Sequence, residues 1–154
     1  MSTRSRIAKQ DASGKVTMIY CHSDGYLTGN GKLLLEHYQD EAKIDALLAL
    51  GDISMLGSKL GAKHDFDLGM KFGRPGFPKY DSPEFKEFYD TVLAYARDRG
   101  EKDVAAATFP SRKAIPQDLF EEFFYLRKGG KWFYSDNGSF MRVKELTAER
   151  IAAR

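Results

Sequence analysis

Reactive side chains are concentrated in residues 15–38, KVTMIYCHSDGYLTGNGKLLLEHY. In this stretch a β-rich run (16–21) leads into a polar loop with glycines (22–31), and an apolar run typical of a helix (33–38) follows. Binding and catalytic groups are common where strands end in loops. The stretch therefore predicts a functional site, although its cysteine, histidines and aspartate match no established catalytic or metal-binding motif.

The cysteine in this stretch, Cys21, is the only one in the chain. It is adjacent to His22, and adjacent strand residues point to opposite faces, so the two side chains cannot form a thiolate–imidazolium pair. Without such a partner, we interpret Cys21 as a small buried hydrophobe rather than a nucleophile.

His22, Asp24 and His37 carry an alternative, catalytic interpretation. Imidazole and carboxylate groups act as general acids and bases and as ligands of divalent metals, so these residues would suit a small metal-dependent or His/Asp hydrolase or phosphodiesterase. Their spacing is not that of a closed zinc or calcium site. We therefore expect no metal site, no cofactor and no catalytic residue, and keep the hydrolase as an alternative.

The residues that follow the strand, His22-Ser-Asp24-Gly25, are typical of a turn. We expect the Asp24 side chain to accept hydrogen bonds from backbone amides beyond it, and Gly25 to take a positive φ.

Gly29-Asn-Gly31-Lys32 follows, directly before the helical run. The glycines fit neither the Walker spacing nor the dinucleotide-binding fingerprint. Free amides at a helix N-terminus, with the charge of Lys32 beside them, nevertheless favour an anion at this position.

A segment rich in glycine and proline, residues 52–82, breaks every helix and strand period. From residue 59 to 80 it interleaves basic and aromatic residues, a pattern suited to a nucleotide or a single nucleic-acid strand. In a simpler interpretation, the aromatic residues fix the loop to the core and the lysines are solvated. The residues predicted to bind a ligand come from the two loops: His22, Asp24, Tyr26, Asn30, Lys32, Phe72 and Arg74.

Length and charge limit the class of protein. With 154 residues, the chain is expected to form a single domain, 1–154, that buries a core without disulfides or metal. The net charge of +2 excludes an acidic DNA mimic and a strongly basic nucleic-acid binder. No signal sequence or membrane span is visible, and a single cysteine fits a reducing compartment, so we expect a cytoplasmic protein.

Hydrophobic periods and turn residues predict an α+β fold, with an antiparallel sheet of about four or five strands, helices packed on it and long Gly/Pro-rich loops. The Gly129-Gly130 turn predicts a hairpin in which Arg127 lies opposite Trp132, with this face interpreted as core or, equally, as a partner interface.

The predicted strands are 5–9, 15–21, 123–128, 131–135 and 141–143. The first two are expected to pair as a hairpin, and the second to be a central strand because both of its faces are apolar. The predicted helices are 33–38, 41–50, 82–100 and 146–153. Asp40 is expected to cap the second helix and Gly51 to end it, and Ser82 is expected to cap the third, which carries one apolar stripe that includes Tyr89.

Four segments of the N-terminal third form one pattern: TRSRI (3–7), IYCHSDGY (19–26), Gly31 and LLEHY (34–38). This pattern resembles the start of a group of small, mostly uncharacterised proteins of tailed phages and prophages, in which tryptophan stands at the position of Ser23. The resemblance implies a phage-borne accessory protein in the host cytoplasm, and such proteins commonly bind host factors or host signalling molecules.

We therefore favour a non-enzymatic binding protein, involved in host interaction or counter-defence. Its expected partner is a host protein or a small anionic ligand of phosphorylated or nucleotide-like character, with self-association left open. The alternatives are the hydrolase described above and a nucleic-acid-binding accessory protein that uses the basic loop.

Overall fold

The computed structural model describes residues 2–153, which form an α+β fold around one mixed β-sheet. The strands are β1 (Ser5–Gln10), β2 (Val16–Cys21), β3 (Ile53–Met55), β4 (Leu93–Ala94), β5 (Ala107–Phe109), β6 (Phe123–Lys128), β7 (Lys131–Ser135) and β8 (Lys144–Glu145). The helices are α1 (Lys32–His37), α2 (Glu41–Ala49), α3 (Pro83–Asp90), α4 (Tyr95–Arg99) and α5 (Ala148–Ala152).

The N-terminal hairpin is confirmed. β1 and β2 pair antiparallel, with Ser5 opposite Cys21, and β2 also pairs with β3 and β5, so it is an interior strand as predicted. The two faces of β2 pack into different hydrophobic clusters. Ile19 and Cys21 pack on one side of the sheet and Val16 and Met18 on the other.

The prediction of a purely antiparallel sheet of four or five strands is wrong. The strand order is β4-β3-β2-β1-β6-β7-β8, with β5 paired to β2, and both β1–β6 and β2–β3 are parallel. Strand direction depends on the route of the long connections between strands, which side-chain alternation does not record. β3 and β4 have three and two residues, too few to show a strand period.

The larger core lies on one face of the sheet, where α1, α2 and α5 contribute buried residues such as Leu34, Leu47 and Ile151. α2 begins and ends as predicted, because the Asp40 side chain accepts from Ala42 N and Gly51 takes a φ of +78°. The opposite face is covered by a smaller cluster that includes Ile115 and Phe140.

The C-terminal hairpin also has the predicted register, with Arg127 opposite Trp132. Trp132 is buried in the larger core, so this face is core rather than an exposed interface. Arg127 is buried as well, and its guanidinium bonds to the Glu41 carboxylate at 2.5 and 2.9 Å and to the Gln39 carbonyl at 3.2 Å. These bonds fix the start of α2 against β6.

The third predicted helix is broken into two. The cap at Ser82 is confirmed, since its side chain accepts from Phe85 N, but α3 ends at Asp90 rather than running to Gly100. Thr91 instead forms a parallel bridge with Lys59, and β4 then pairs with β3 before α4 begins. The apolar stripe continues across the break, which is why the pattern indicated one helix.

The C-terminal prediction is correct for the helix and wrong for the strand. The predicted strand at 141–143 is replaced by β8 two or three residues later, which pairs with β7. α5 is confirmed, and the Thr147 side chain accepts from Arg150 N at its start. Between residues 2 and 153, no helix is long and apolar enough to cross a bilayer.

Candidate functional site

The helix after β2 begins earlier than predicted. Residues Leu27–Gly31 form a π-helical segment that runs directly into α1. The amides of Gly29, Asn30 and Lys32 are bonded within this turn, for example Asn30 N to the Asp24 carbonyl at 2.8 Å. These amides are therefore not free to hold an anion, and that part of the predicted site lacks its physical basis.

The glycines in this segment serve close packing rather than phosphate binding. A Cβ on Gly29 would lie 2.4 Å from the Asp24 carbonyl oxygen, and one on Gly31 would lie 3.2 Å from the Tyr125 hydroxyl. Glycine thus allows the helix to approach the preceding turn and the sheet.

The turn at Asp24-Gly25 differs from the prediction in which residue is left-handed. Asp24 takes a φ of +57°, while Gly25 does not have positive φ. Glycine is required at position 25 because a larger residue would clash with its neighbours. A Cβ there would lie 2.9 Å from the Arg4 carbonyl and from Ser5 Cβ. The Asp24 carboxylate accepts from the Tyr26 hydroxyl at 3.2 Å and not from the amides beyond it.

A cleft of about 440 Å³ lies beside this segment. Four of the seven residues predicted to bind a ligand line it, namely Asp24, Tyr26, Asn30 and Lys32. The other lining residues come from the same helix, from the end of β3 and from α3: Thr28, Gly29, Leu33, Glu36, Met55, Leu56 and Tyr89. The structure thus brings together most of the first loop's predicted site and adds a wall from distant parts of the chain.

Asn30 lines the cleft and is only 1% exposed. Its side-chain nitrogen donates to the Ser23 carbonyl at 3.0 Å, to Ser5 Oγ at 3.2 Å and to Cys21 Sγ at 3.3 Å. Its side-chain oxygen, Oδ1, is buried and has no hydrogen-bond partner within residues 2–153. Such an acceptor is costly unless something in the cleft donates to it.

The charged groups of the cleft are Asp24, Lys32 and Glu36, which sum to −1. In the described part of the chain, neither the Lys32 ammonium nor the Glu36 carboxylate has a hydrogen-bond or ion-pair partner. The charge of Asp24 raises the pKa of the neighbouring Tyr26 hydroxyl. The cleft therefore has more negative than positive charge, contrary to the anion site predicted here.

Phe72 and Arg74 do not complete the site as predicted. Phe72 is buried and its ring packs edge-on against Phe85 and Phe88 at centroid distances of 5.0 and 5.7 Å, so it offers no stacking face to a ligand. This supports the simpler interpretation, in which aromatic residues fix the loop to the core. Arg74 is exposed on that loop and does not line the cleft.

His22 and His37 also lie outside the lining of the cleft. His22 Nδ1 is 2.8 Å from the Tyr20 hydroxyl, and His37 is exposed at the end of α1. No hydrogen bond or ion pair in residues 2–153 joins His22, Asp24 and His37. The same residues contain no group of three or more His, Cys, Asp or Glu side chains arranged to hold a metal ion.

Cys21 is a buried hydrophobe, as predicted. Its side chain is fully buried, and burial raises the pKa of the thiol to about 11. With this raised pKa the thiol remains protonated at neutral pH, and it donates a weak hydrogen bond to the Ser23 carbonyl, with the sulfur 3.5 Å from the oxygen.

Tyr89 is the most important residue of the cleft that the sequence did not predict as a binding residue. It is 43% exposed, and its ring contacts Phe85 and Phe88 at centroid distances of 4.8 and 5.0 Å. The stripe that includes Tyr89 indicated a core helix, and its position far along the chain gave no link to Asp24. Only its place at the outer edge of an amphipathic stripe could have marked it as exposed.

Comparison of the chain with protein-family models, curated proteins and solved structures found no match. No activity, ligand or residue role is therefore carried over from a relative. The resemblance to small phage proteins stays a prediction.

Proposed function

We propose that the chain is a phage-borne accessory protein that binds a host protein without turnover. The binding surface is the cleft together with the aromatic side chains beside it. We call Tyr26, Tyr80, Phe85 and Tyr89 the aromatic strip.

The observation that carries the proposal is a row of three contacting rings, Tyr89, Phe85 and Tyr80, beside a cleft that Tyr26 also lines. Tyr26 and Tyr89 line the same cleft, Tyr89 contacts Phe85 at 4.8 Å, and Phe85 contacts Tyr80 at 5.7 Å between ring centroids. Tyr26, Tyr80 and Tyr89 are 42%, 65% and 43% exposed. Single exposed apolar residues are ordinary, but a cluster of contacting, partly exposed aromatic rings is typical of a protein interface.

A protein partner suits this surface better than a small phosphorylated ligand. The amides of Gly29, Asn30 and Lys32 are already bonded, and the cleft carries a net negative charge. The aromatic strip also extends beyond the cleft, which a ligand confined to about 440 Å³ would not use.

Binding without turnover is supported by the state of the reactive residues. Cys21 is buried and protonated, and His22 is paired with the Tyr20 hydroxyl away from the cleft. Asp24 lines the cleft, whereas His22 and His37 do not. A general base and a nucleophile are thus not assembled at this surface.

Affinity capture from a bacterial host lysate tests the proposal. The bait variants are wild type, Tyr89→Ala, Tyr80→Ala and, as a matched control, Phe120→Ala, which removes an aromatic ring that is 89% exposed outside the strip. We expect wild type and Phe120→Ala to retain the same protein partner, and the two tyrosine variants to lose about tenfold or more in affinity, as at interface hot spots.

Phe120→Ala should keep the wild-type melting temperature because its ring is exposed. The two tyrosine variants should melt at a somewhat lower temperature, because their rings contact Phe85, but should remain folded under the conditions of capture. Capture of no protein would contradict the proposal. So would equal capture by wild type and a variant lacking Tyr26, Tyr80 and Tyr89 together, or chemical conversion of whatever binds.

A further inference from the structure

The unpartnered Oδ1 of Asn30 indicates what kind of group enters the cleft. Nitrogen and oxygen of this amide can be distinguished by their neighbours, because the Ser23 carbonyl at 3.0 Å can only accept a hydrogen bond and must therefore face the nitrogen. The buried atom left over is the oxygen. A group of an occupant that contacts this oxygen must therefore donate a hydrogen bond to it.

The other polar groups of the cleft favour a donor that is also a cation. The carboxylates of Asp24 and Glu36 accept and do not donate, and they outnumber the single charge of Lys32. Lys32 and Glu36 are four residues apart on one helix face, so a cation that binds beside Glu36 is also repelled by the Lys32 ammonium. The net attraction for a cation therefore depends on the second carboxylate, that of Asp24.

The walls of the cleft favour a flat cation over a compact one. Tyr26 and Tyr89 present aromatic rings, and Leu33, Met55 and Leu56 give apolar contact. A guanidinium is planar, stacks on tyrosine, has five donors and is more weakly hydrated than an ammonium.

We infer that the cleft receives an arginine side chain of the protein partner, with its guanidinium donating to Asn30 Oδ1 and to the carboxylates of Asp24 and Glu36. The inference rests on the proposed function, since it names the residue by which the partner is held.

Binding of a small probe to the full chain tests this directly. The probe is Nα-acetyl-arginine methylamide, with the lysine and citrulline counterparts as comparisons, and the readout is the ¹H–¹⁵N NMR spectrum. We expect the arginine probe to shift the side-chain amide of Asn30 and the backbone amides near Tyr26 and Tyr89. The neutral citrulline probe should bind about tenfold or more weakly.

Asn30 itself is a poor site for substitution, because its nitrogen holds Ser5, Cys21 and Ser23 together. The variant is therefore Asp24→Asn with Glu36→Gln, which replaces two exposed carboxylates. The matched control is Asp103→Asn, since Asp103 is also exposed and also has a positive φ, +61°, but does not line the cleft. The double variant should lose the arginine response and the control should keep it.

Several results would overturn the inference. The arginine probe could shift no amide signal, or the arginine and citrulline probes could bind equally well. Inorganic phosphate could also shift the Lys32 amide signal while the arginine probe does not. Capture of the partner separates this failure from that of the proposed function. If Tyr89→Ala abolishes capture while the double variant does not, the proposed protein interface is supported and the inferred arginine contact is wrong.

Discussion

Trp132 and Tyr38 are joined by a hydrogen bond of 2.8 Å, from the indole Nε1 of Trp132 to the backbone carbonyl of Tyr38. Both side chains are fully buried, and the Tyr38 hydroxyl in turn donates to the Gly57 carbonyl at 2.7 Å. The C-terminal hairpin, the end of α1 and the segment after β3 are thus held together. Because α1 and β3 both contribute to the cleft, its geometry depends on this buried contact.

Trp132→Ala should lower the free energy of unfolding by about 3 kcal/mol or more, because it removes a buried aromatic ring and leaves the Tyr38 carbonyl without its donor. Trp132→Phe keeps most of the apolar burial and should lose less. Chemical denaturation at neutral pH measures both. Unchanged stability of the alanine variant would show that this face is not core.

The C-terminal hairpin shows what the sequence predicts well. Gly129 and Gly130 take φ of +58° and +76°, as a two-residue turn requires, and the turn alone fixes which residues face each other. The caps at Asp40 and Ser82 are similarly local. Such features depend on a few consecutive residues, and all of these predictions are confirmed.

The cleft could be predicted only in part, because one of its walls depends on distant packing. Asp24, Tyr26 and Lys32 were recognisable as polar residues after a strand. Asn30 became a buried acceptor because the helix begins at Leu27, and Tyr89 lies at the cleft because the pairing of β4 with β3 brings the end of α3 close to Met55. Neither fact leaves a periodic signal in the sequence.

Asp24→Ala should cost about 1 kcal/mol of unfolding free energy, because alanine tolerates the φ of +57° poorly. Asp24→Asn and Asp24→Gly should stay within about 0.5 kcal/mol of wild type, since both residues adopt left-handed backbone more readily. Denaturant titration of the three variants checks this ranking. Asp103→Ala, at a φ of +61°, should lose a similar amount, and a loss confined to Asp24 would point to its side-chain bond instead.

Gly25→Ala should destabilise by about 1 to 3 kcal/mol through steric overlap, since the new Cβ meets the Arg4 carbonyl and Ser5 Cβ at 2.9 Å. The neighbouring backbone has little room to move, because Gly25 N donates to the Thr3 carbonyl and the Gly25 carbonyl accepts from the Tyr125 hydroxyl. Gly25 does not have a positive φ, so the expected loss is steric and carries no cost of left-handed backbone. Chemical denaturation measures it, and unchanged stability of Gly25→Ala would contradict this account.

Added Mg²⁺, Mn²⁺ or Zn²⁺ should leave the melting temperature of the native protein unchanged. A metal that bound the native state would raise it by mass action. Thermal melts with and without each ion, and with a chelator, test the expectation. A rise that disappears in Asp24→Asn would instead support the metal-dependent alternative at Asp24.

Cys21 predicts how stability changes in alkali. Burial raises the pKa of its thiol from an ordinary value of 9.0 to about 11, so the folded state keeps this proton where the unfolded chain loses it. Because the unfolded state then binds fewer protons, stability falls as pH rises. This contribution, roughly 3 kcal/mol, is fully present below pH 9 and is lost between about pH 9 and 11.

The alkaline loss is measured as the difference between wild type and Cys21→Ala across that pH range. The comparison is needed because burial also raises the pKa of Tyr38, which destabilises both proteins in the same direction at high pH. The smaller side chain of Cys21→Ala lowers stability by an amount independent of pH. The difference between the two proteins should therefore be constant up to about pH 9 and then shrink, and parallel curves up to pH 11 would mean that the thiol titrates alike in both states.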